Sequence, residues 1–355
     1  MKRPSLILTL GLIVSLFQPL MAQEEASKLQ ISGSVDTYYK YDFSGQTNIP
    51  TSFAEDHNSI SIGMLDLVFE KSSGKASFVG EIAFGPRNAG SAGPAPVAGT
   101  VKDGEESFDV SAFAPRIQNL YVSYGLTEDL TITAGYMGTF VGYEIISPTG
   151  NFNYSTSYLF TNGPFQNAGV KLEYAFSEKF ALMAGVFNPW NVYTADPAVG
   201  PSSFGAQVYV APVEGWDAYL NVVTGGESGT EIDLTTTFQV SESFMLGLNA
   251  ASYSDGADDP GSFLGAAIYG NLAVSDDAAL GLRYEYFEAN AASGILADVT
   301  TSVSAFTLSG NIGGGDLTFI PEVRYDVASN PIFLDSDGNT ATSAAQFLLA
   351  AVFAF

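Results

Sequence analysis

The chain has 355 residues, no cysteine, 37 glycines and only 14% charged residues, with 13 Lys and Arg against 38 Asp and Glu. A formal net charge of −25 would repel nucleic-acid phosphates, and 46% hydrophobic content contradicts the disorder that strong acidity usually signals. Without cysteine there is no disulfide scaffold, thiolate nucleophile, cysteine metal site or lipoprotein anchor.

Lys2 and Arg3 precede an apolar run from Leu6 to Phe17, Pro19 breaks it, and Leu20-Met21-Ala22 places a small residue ahead of Gln23. This is the pattern of a cleaved secretory signal peptide over residues 1–22, too short for a comfortable membrane anchor. Its removal takes away two bases, which leaves the mature chain at about −27. Beyond it no window approaches the ~20 apolar residues of a spanning helix.

Residues 23–355 read as one domain with a period of two. In Ile31 to Phe43 the odd positions carry Ile31, Val35, Tyr39, Tyr41 and Phe43, and the even ones Ser34, Asp36, Lys40 and Asp42. The same alternation runs through Leu130 to Phe140, Gln166 to Phe176, Phe204 to Val210 and Glu231 to Val240. It continues through Leu264 to Val274, Ala278 to Tyr286 and Leu317 to Val327. These strands are roughly 9–11 residues long, the span of a tilted membrane strand.

Their connections fall into two classes. Short turns lie at 71–75, 127–129, 177–179, 212–215, 241–243, 275–277 and 313–315. Longer stretches occupy 44–58, 86–115, 142–165, 189–203, 255–261, 289–301 and 328–342, and one connection near 225–229 is brief. This predicts an all-β, up-and-down antiparallel transmembrane barrel of about sixteen strands, with short periplasmic turns and long extracellular loops. A soluble sandwich turns its apolar face inward and does not sort its turns in this way. Here the polar face carries charges in strand interiors, which a dry core does not tolerate unpaired and a wet lumen does.

The last strand sets Phe347, Leu349, Ala351, Phe353 and Phe355 on one face. Phe353 and Phe355 resemble the terminal signal read by the outer-membrane assembly machinery. The expected location is the outer membrane of a Gram-negative cell, with outer-membrane lipid around the barrel.

The stretch Gly33-Ser34-Val35-Asp36-Thr37-Tyr38-Tyr39-Lys40-Tyr41-Asp42-Phe43 resembles the opening strand of the OmpL-like β-barrel porins, also called β-barrel porin type 2. Asn119 to Val122 with Leu130 to Met137 resembles the central hairpin of that family. Asn153 to Tyr158, Gly163-Pro164-Phe165 and Gly169 to Leu172 resemble its long loop and next strand, and Pro321 to Asp326 its penultimate strand. The resemblance covers most of the mature chain and implies a porin-like channel with no catalytic residues.

Strand parity turns four bases inward, Lys40, Lys171, Arg283 and Arg324. The inward acids are Asp36, Asp42, Asp66, Glu81, Glu173, Glu231, Asp233, Glu285, Glu322 and Asp326. Lys171 with Glu173, Arg283 with Glu285, and Arg324 between Glu322 and Asp326 sit two apart on one face. Opposed charges across a pore make a transverse field, and the acidic excess predicts mild cation selectivity.

The expected function is passive diffusion of small hydrophilic solutes or ions, with no cofactor and no metal. A non-conducting scaffold or adhesin barrel is the alternative, and an outer-membrane hydrolase a more distant one. The single histidine, His57, lies beside Glu55 and Asp56 without an evident serine or asparagine partner, so it reads as a loop residue. Asp335-Ser336-Asp337-Gly338-Asn339 has its glycine one place early for a calcium loop, and Gln346 stands where the closing Glu belongs. It reads as a turn, and Asp255, Asp258 and Asp259 as a solvated acidic loop. One of the long loops, that of Thr47, 86–104 or 142–165, is expected to fold inward. A homotrimer would need an outer face suited to subunit contact, which the sequence leaves open.

Overall fold

The computed structural model describes residues 28–87, 116–256 and 261–355. The expected signal peptide at 1–22, most of the second long loop, and Asp258 and Asp259 lie outside the described residues. The first five strands are β1 (Gln30–Asp42), β2 (Ser59–Ser73), β3 (Ala76–Phe84), β4 (Arg116–Gly125) and β5 (Leu130–Gly138). A short helix, α1 (Tyr158–Asn162), interrupts the connection to β6 (Gln166–Ser177). There follow β7 (Phe180–Phe187), β8 (Ser203–Val210), β9 (Trp216–Gly225), β10 (Gly229–Ser241) and β11 (Phe244–Ser254). Next come β12 (Ser262–Ser275), β13 (Ala278–Ala289), β14 (Thr301–Gly314) and β15 (Leu317–Ala328). A small outer hairpin, β16 (Phe333–Leu334) and β17 (Thr340–Ala341), precedes β18 (Ser343–Ala354).

Sixteen strands, β1 to β15 and β18, form one closed antiparallel barrel in chain order, and β18 returns to pair with β1. The strand count and the two-class connections match the sequence expectation. Closure leaves no sheet edge, so every strand's backbone groups are paired within the wall, as a hydrocarbon surround demands.

Alternation sets the two faces. On β13 the outward Leu280, Leu282 and Tyr286 are exposed, while the inward Arg283 and Glu285 have no accessible surface. The outward apolar residues are those a lipid belt would cover. Tyr174, Phe176 and Phe180 sit ring to ring at the short-turn end, with centroids 4.6 and 5.1 Å apart, as an interfacial girdle. Two of the tight turns carry Gly215 (φ 78°) and Gly315 (φ 73°), left-handed positions that favour a residue without a Cβ.

The eight long-side connections are named L1 to L8 in chain order. L3, residues 139–165, leaves β5 and turns into the barrel. Its Tyr154, Tyr158, Leu159 and Phe160 are all buried; the first three pack on buried residues of β12 to β15 and β18, and Phe160 on the rings of Phe53 and Phe165. The molecule's apolar core therefore lies in the lumen, between L3 and the wall.

Candidate functional site

The interior carries a loop and the charged wall that grips it. The charged residues that strand parity singles out sit on the barrel strands as follows. Asp36, Lys40 and Asp42 are on β1, Asp66 on β2, Glu81 on β3, and Lys171 and Glu173 on β6. Glu231 and Asp233 are on β10, Arg283 and Glu285 on β13, and Glu322, Arg324 and Asp326 on β15. Half of these fourteen bind loop backbone.

The β13 and β15 charges form the centre of this grip. Arg283 donates to Glu144 Oε1 at 2.5 Å, to the Ser155 carbonyl at 2.7 Å and to Thr307 Oγ1 at 3.2 Å. Glu285 accepts from the N–H groups of Tyr158 and Leu159, both at 2.9 Å. These are N–H groups of the first turn of α1, which have no partner inside the helix. Glu322 accepts from Tyr154 N at 2.9 Å and from Ser309 Oγ at 2.8 Å. Arg324 makes a two-pronged contact with Asp326 at 2.8 and 3.0 Å and donates to the Thr156 carbonyl at 2.8 Å. Tyr158 donates its hydroxyl to Asp326 at 2.8 Å.

The expected pairs two residues apart are thus only partly formed. Lys171 and Glu173 do bridge, at 3.1 Å, and Arg324 chooses Asp326. Arg283 instead reaches across to Glu144 of L3, and Glu285 is taken by the helix N–H groups. Two charges on one strand face do not exclude a third partner once the opposite side of the lumen is filled.

The remaining walls contribute further clasps. Tyr154 donates its hydroxyl to Asp36, and Arg87 at the root of L2 donates to the carbonyls of Ile146 (3.1 Å) and Tyr154 (2.9 Å). The Arg87 guanidinium also lies 4.5 Å from the Tyr154 ring centre, a cation–π contact. Asp233 accepts from Gly142 N at 3.0 Å and from the side-chain amides of Asn221 and Asn249. Lys40 donates to the carbonyls of Ala54 and Glu55, which secures L1 rather than L3. Asp42 accepts from Ser44 in the same loop.

Shape complements charge. Inward glycines on four strands make pits that L3 side chains enter. A Cβ on Gly205 would lie 2.4 Å from the Phe140 ring, and one on Gly247 2.3 Å from the Tyr143 hydroxyl. Gly265 and Gly281 receive Leu159 (2.8 Å) and Phe152 (2.1 Å) in the same way. Tyr143 also stacks on Tyr269 of β12, with centroids 4.2 Å apart and planes inclined by 16°.

Sequence reasoning missed Glu144, Arg87, Tyr154, Tyr158 and the four glycines. A signal was present. Residues 139–165 hold seven aromatics and no base, a composition unsuited to a solvated loop, and the pits are glycines on the inward faces of their strands.

On the β3–β6 side the interior is more open over β3 and β4. Glu81, Asn119, Tyr121 and Ser123 are half-buried, and Asn119 donates to Glu81 at 2.5 Å. His57 accepts from Asp42 N at 3.0 Å through Nδ1, and its ring packs 5.1 Å from Tyr41. Among the described residues no hydrogen bond joins it to a serine, and no group of three or more acidic or histidine side chains is arranged for a metal. Asp335 closes the turn between β16 and β17, accepting from Asn339 N at 2.8 Å and Asp337 N at 2.9 Å. The Asn339 bond, with help from the other turn amides, holds its carboxyl below the usual range.

The fold recurs in solved outer-membrane channels at low identity. The channel DcaP of Acinetobacter baumannii superposes with a TM-score of 0.59 at 14% identity, covering 94% of this chain and 99% of its own. OmpF of Salmonella typhi, in complex with daunomycin, gives 0.60 at 10% identity, with 92% and 98% covered. An anion-selective porin from Comamonas acidovorans gives 0.58 at 11% identity, with 93% and 100% covered. At these identities the likeness speaks for the barrel alone. No curated protein sequence is similar enough to count as a relative. The sequence pattern of one family, described as "Putative beta-barrel porin-2, OmpL-like", matches residues 28–355, so the whole of the described barrel falls within it. The chain belongs to that family of OmpL-like outer-membrane β-barrel porins.

Proposed function

We propose that the protein is a passive diffusion channel for small hydrophilic solutes and ions, with a passage along the inner face of β3–β6 and a mild preference for cations. The observation that carries this is the one-sided seating of L3. Its bonds to β8, β10 and β13–β15 fill that side of the lumen, while Glu81, Tyr121 and Ser123 keep accessible surface opposite it. Lys171 and Glu173 lie on the same wall and neutralise one another, and Arg116 stands at the loop end of β4, so the acidic excess is local to Glu81, further along the wall. In a narrow passage flanked by protein of low dielectric constant such an excess raises the local cation concentration.

Single-channel recording in planar bilayers tests the reading. Discrete conductance steps, with a reversal potential of cation sign in a salt gradient, are expected. Anion preference would remove the selectivity and leave the channel.

A closed barrel acting as scaffold or adhesin is the second reading, and the filled half of the lumen favours it. Its signature is correctly folded protein without conductance steps. The hydrolase reading has less support, since His57 is committed to Asp42 N–H; hydrolysis of phospholipid or peptide that disappears in His57→Ala would revive it. The exposed apolar belt suits lipid or a neighbouring copy equally, and we include homotrimeric assembly in the proposal. The native mass of the detergent-solubilised protein decides it. The signal peptide at 1–22 and recognition of Phe353 and Phe355 by the assembly machinery belong to the same reading. N-terminal sequencing of the mature protein checks the first.

A further inference from the structure

Among the carboxylates that face L3, Glu231 is the exception. Glu285 and Glu322 each receive two L3 N–H groups, and Asp233 receives one together with two side-chain amides. Glu231 is only 2% exposed, and its Oε2 is buried without a hydrogen-bond partner. The charge that bears on it is that of Asp233, two residues along the same face. No Lys, Arg or His occurs between Lys179 and Arg283, and none within residues 139–165. The nearby amides of Asn221 and Asn249 are spent on Asp233.

Glu231 lines a cavity of about 10 Å³ together with Val141, Gly142, Leu159, Gly163 and Asp233. Such a space holds one body the size of a water molecule, roughly 10–15 Å³ by the same measure. Its oxygens converge. The point where Gly163 would carry a Cβ lies 3.2 Å from the Leu159 carbonyl oxygen and 3.6 and 3.9 Å from the two Glu231 carboxylate oxygens. A buried carboxylate with no base, a like charge beside it and a carbonyl facing it is unstable unless something neutralises it. A water could bridge the oxygens, but it would leave two negative charges on one wall. A hard cation satisfies oxygen ligands and charge together.

We propose that Glu231 holds a single hard cation, an alkali or alkaline-earth ion, in the cavity between β10 and the returning limb of L3. The ion pins the segment Leu159–Gly163 to β10 on a wall that has no basic residue to do so. This site is independent of conduction: it stands whether the channel prefers cations, anions or neither.

The test uses the full mature barrel, refolded in detergent, with thermal unfolding followed at constant ionic strength in choline chloride. Replacing choline by sodium, potassium or calcium is expected to raise Tm saturably with at least one of them, and the arms distinguish which ion is preferred. Glu231→Gln, which keeps the size and removes the charge, is expected to unfold at a temperature independent of the cation. Equal cation shifts in both proteins would mean screening of surface acids and would overturn the site. So would the absence of any shift in the wild type, which assigns Glu231 a proton or a water. Should Glu231→Gln fail to fold, wild-type crystals soaked in rubidium or terbium decide the matter. Anomalous density at coordination distance from Glu231 and the Leu159 carbonyl supports the proposal, and density confined to surface acids removes it.

Discussion

Arg283 and Glu144 stand 139 positions apart in the chain, yet their side chains meet at 2.5 Å inside the barrel, with 0% and 4% of their surfaces exposed. One belongs to the wall and the other to L3, so this bridge joins the two parts of the lumen that determine its width. Removing one partner of a buried pair leaves the other charge without solvent or counter-ion, which costs about 3–5 kcal/mol. Arg283→Met is therefore expected to lower unfolding stability by that order, to free L3 from β13, and to raise single-channel conductance. Glu144→Gln with Arg283→Met is expected to recover part of the loss, with a coupling of about 0.5–3 kcal/mol in a double-mutant cycle. Strict additivity would show that the two residues act separately.

The glycine pits make a second, purely steric prediction. Gly247 and Gly281 leave no room for a side chain while Tyr143 and Phe152 are in place. Gly247→Leu or Gly281→Leu is expected to evict the corresponding ring and loosen L3 without altering any charge. Larger or noisier conductance, with unchanged ion preference, is the anticipated recording. Gly226→Ala is the control, because a Cβ there meets nothing within 4 Å. Identical recordings from the pit variants and the control would disprove a packing role for the pits.

These two features show where sequence reading stops. The strands were legible because period two, an apolar outer face and two classes of connection all express local geometry, and the barrel registers follow them closely. The wall charges were legible one at a time, by parity. Their partners were not: Glu144 reaches Arg283, and Tyr158 N–H reaches Glu285, only after closure has brought β5 and β13 around one lumen. Lys171 and Glu173 behave as their spacing implies because L3 leaves that wall to them. The aromatic, base-free composition of L3 announced burial, but not the surface that would bury it.

Selectivity is expected to respond to the open wall. Glu81 is half-buried on the interior of β3; of the bases on the same wall, Lys171 is already paired with Glu173 and Arg116 lies at the loop end of β4. Glu81→Lys reverses one charge there and is expected to move the reversal potential toward anions. The effect should weaken as salt rises, since screening acts over roughly 10 Å at 0.1 M. Glu128→Lys, on an exposed periplasmic turn, is expected to leave the potential nearly unchanged. Equal shifts from both variants would place the selectivity in net charge and not in the passage.

The L8 turn offers a pH-dependent readout outside the membrane. The Asn339 amide and its neighbours hold the Asp335 carboxyl below its ordinary value. A depressed folded-state pKa stabilises the turn above the unfolded value, and the contribution is lost as pH falls through the folded one. Carboxyl chemical shifts should therefore show Asp335 titrating below a peptide reference. Asn339→Ala keeps the backbone N–H that does most of this and removes only the side-chain amide, so it is expected to bring the midpoint back only slightly. A normal midpoint in the wild type would contradict the turn geometry.

The barrel seam separates two roles for Phe355. Gly33 N donates to the Phe355 carbonyl and Phe355 N donates to the Gly33 carbonyl, both at 3.0 Å, beside the strand pairing of β1 with β18. The ring itself is half-exposed, at 50%, so it contributes little packing to the closed wall. Phe355→Ala keeps the two backbone bonds and removes the ring, whereas deleting Phe355 removes all three. In detergent refolding the substitution is expected to behave almost as wild type. The deletion should lose about 1–3 kcal/mol, the net worth of two hydrogen bonds. In cells the order changes if the assembly machinery reads the aromatic ring: both variants should then reach the outer membrane poorly, as heat-modifiable mobility on gels would report. Normal assembly of Phe355→Ala in cells would limit Phe355 to closing the seam through its backbone.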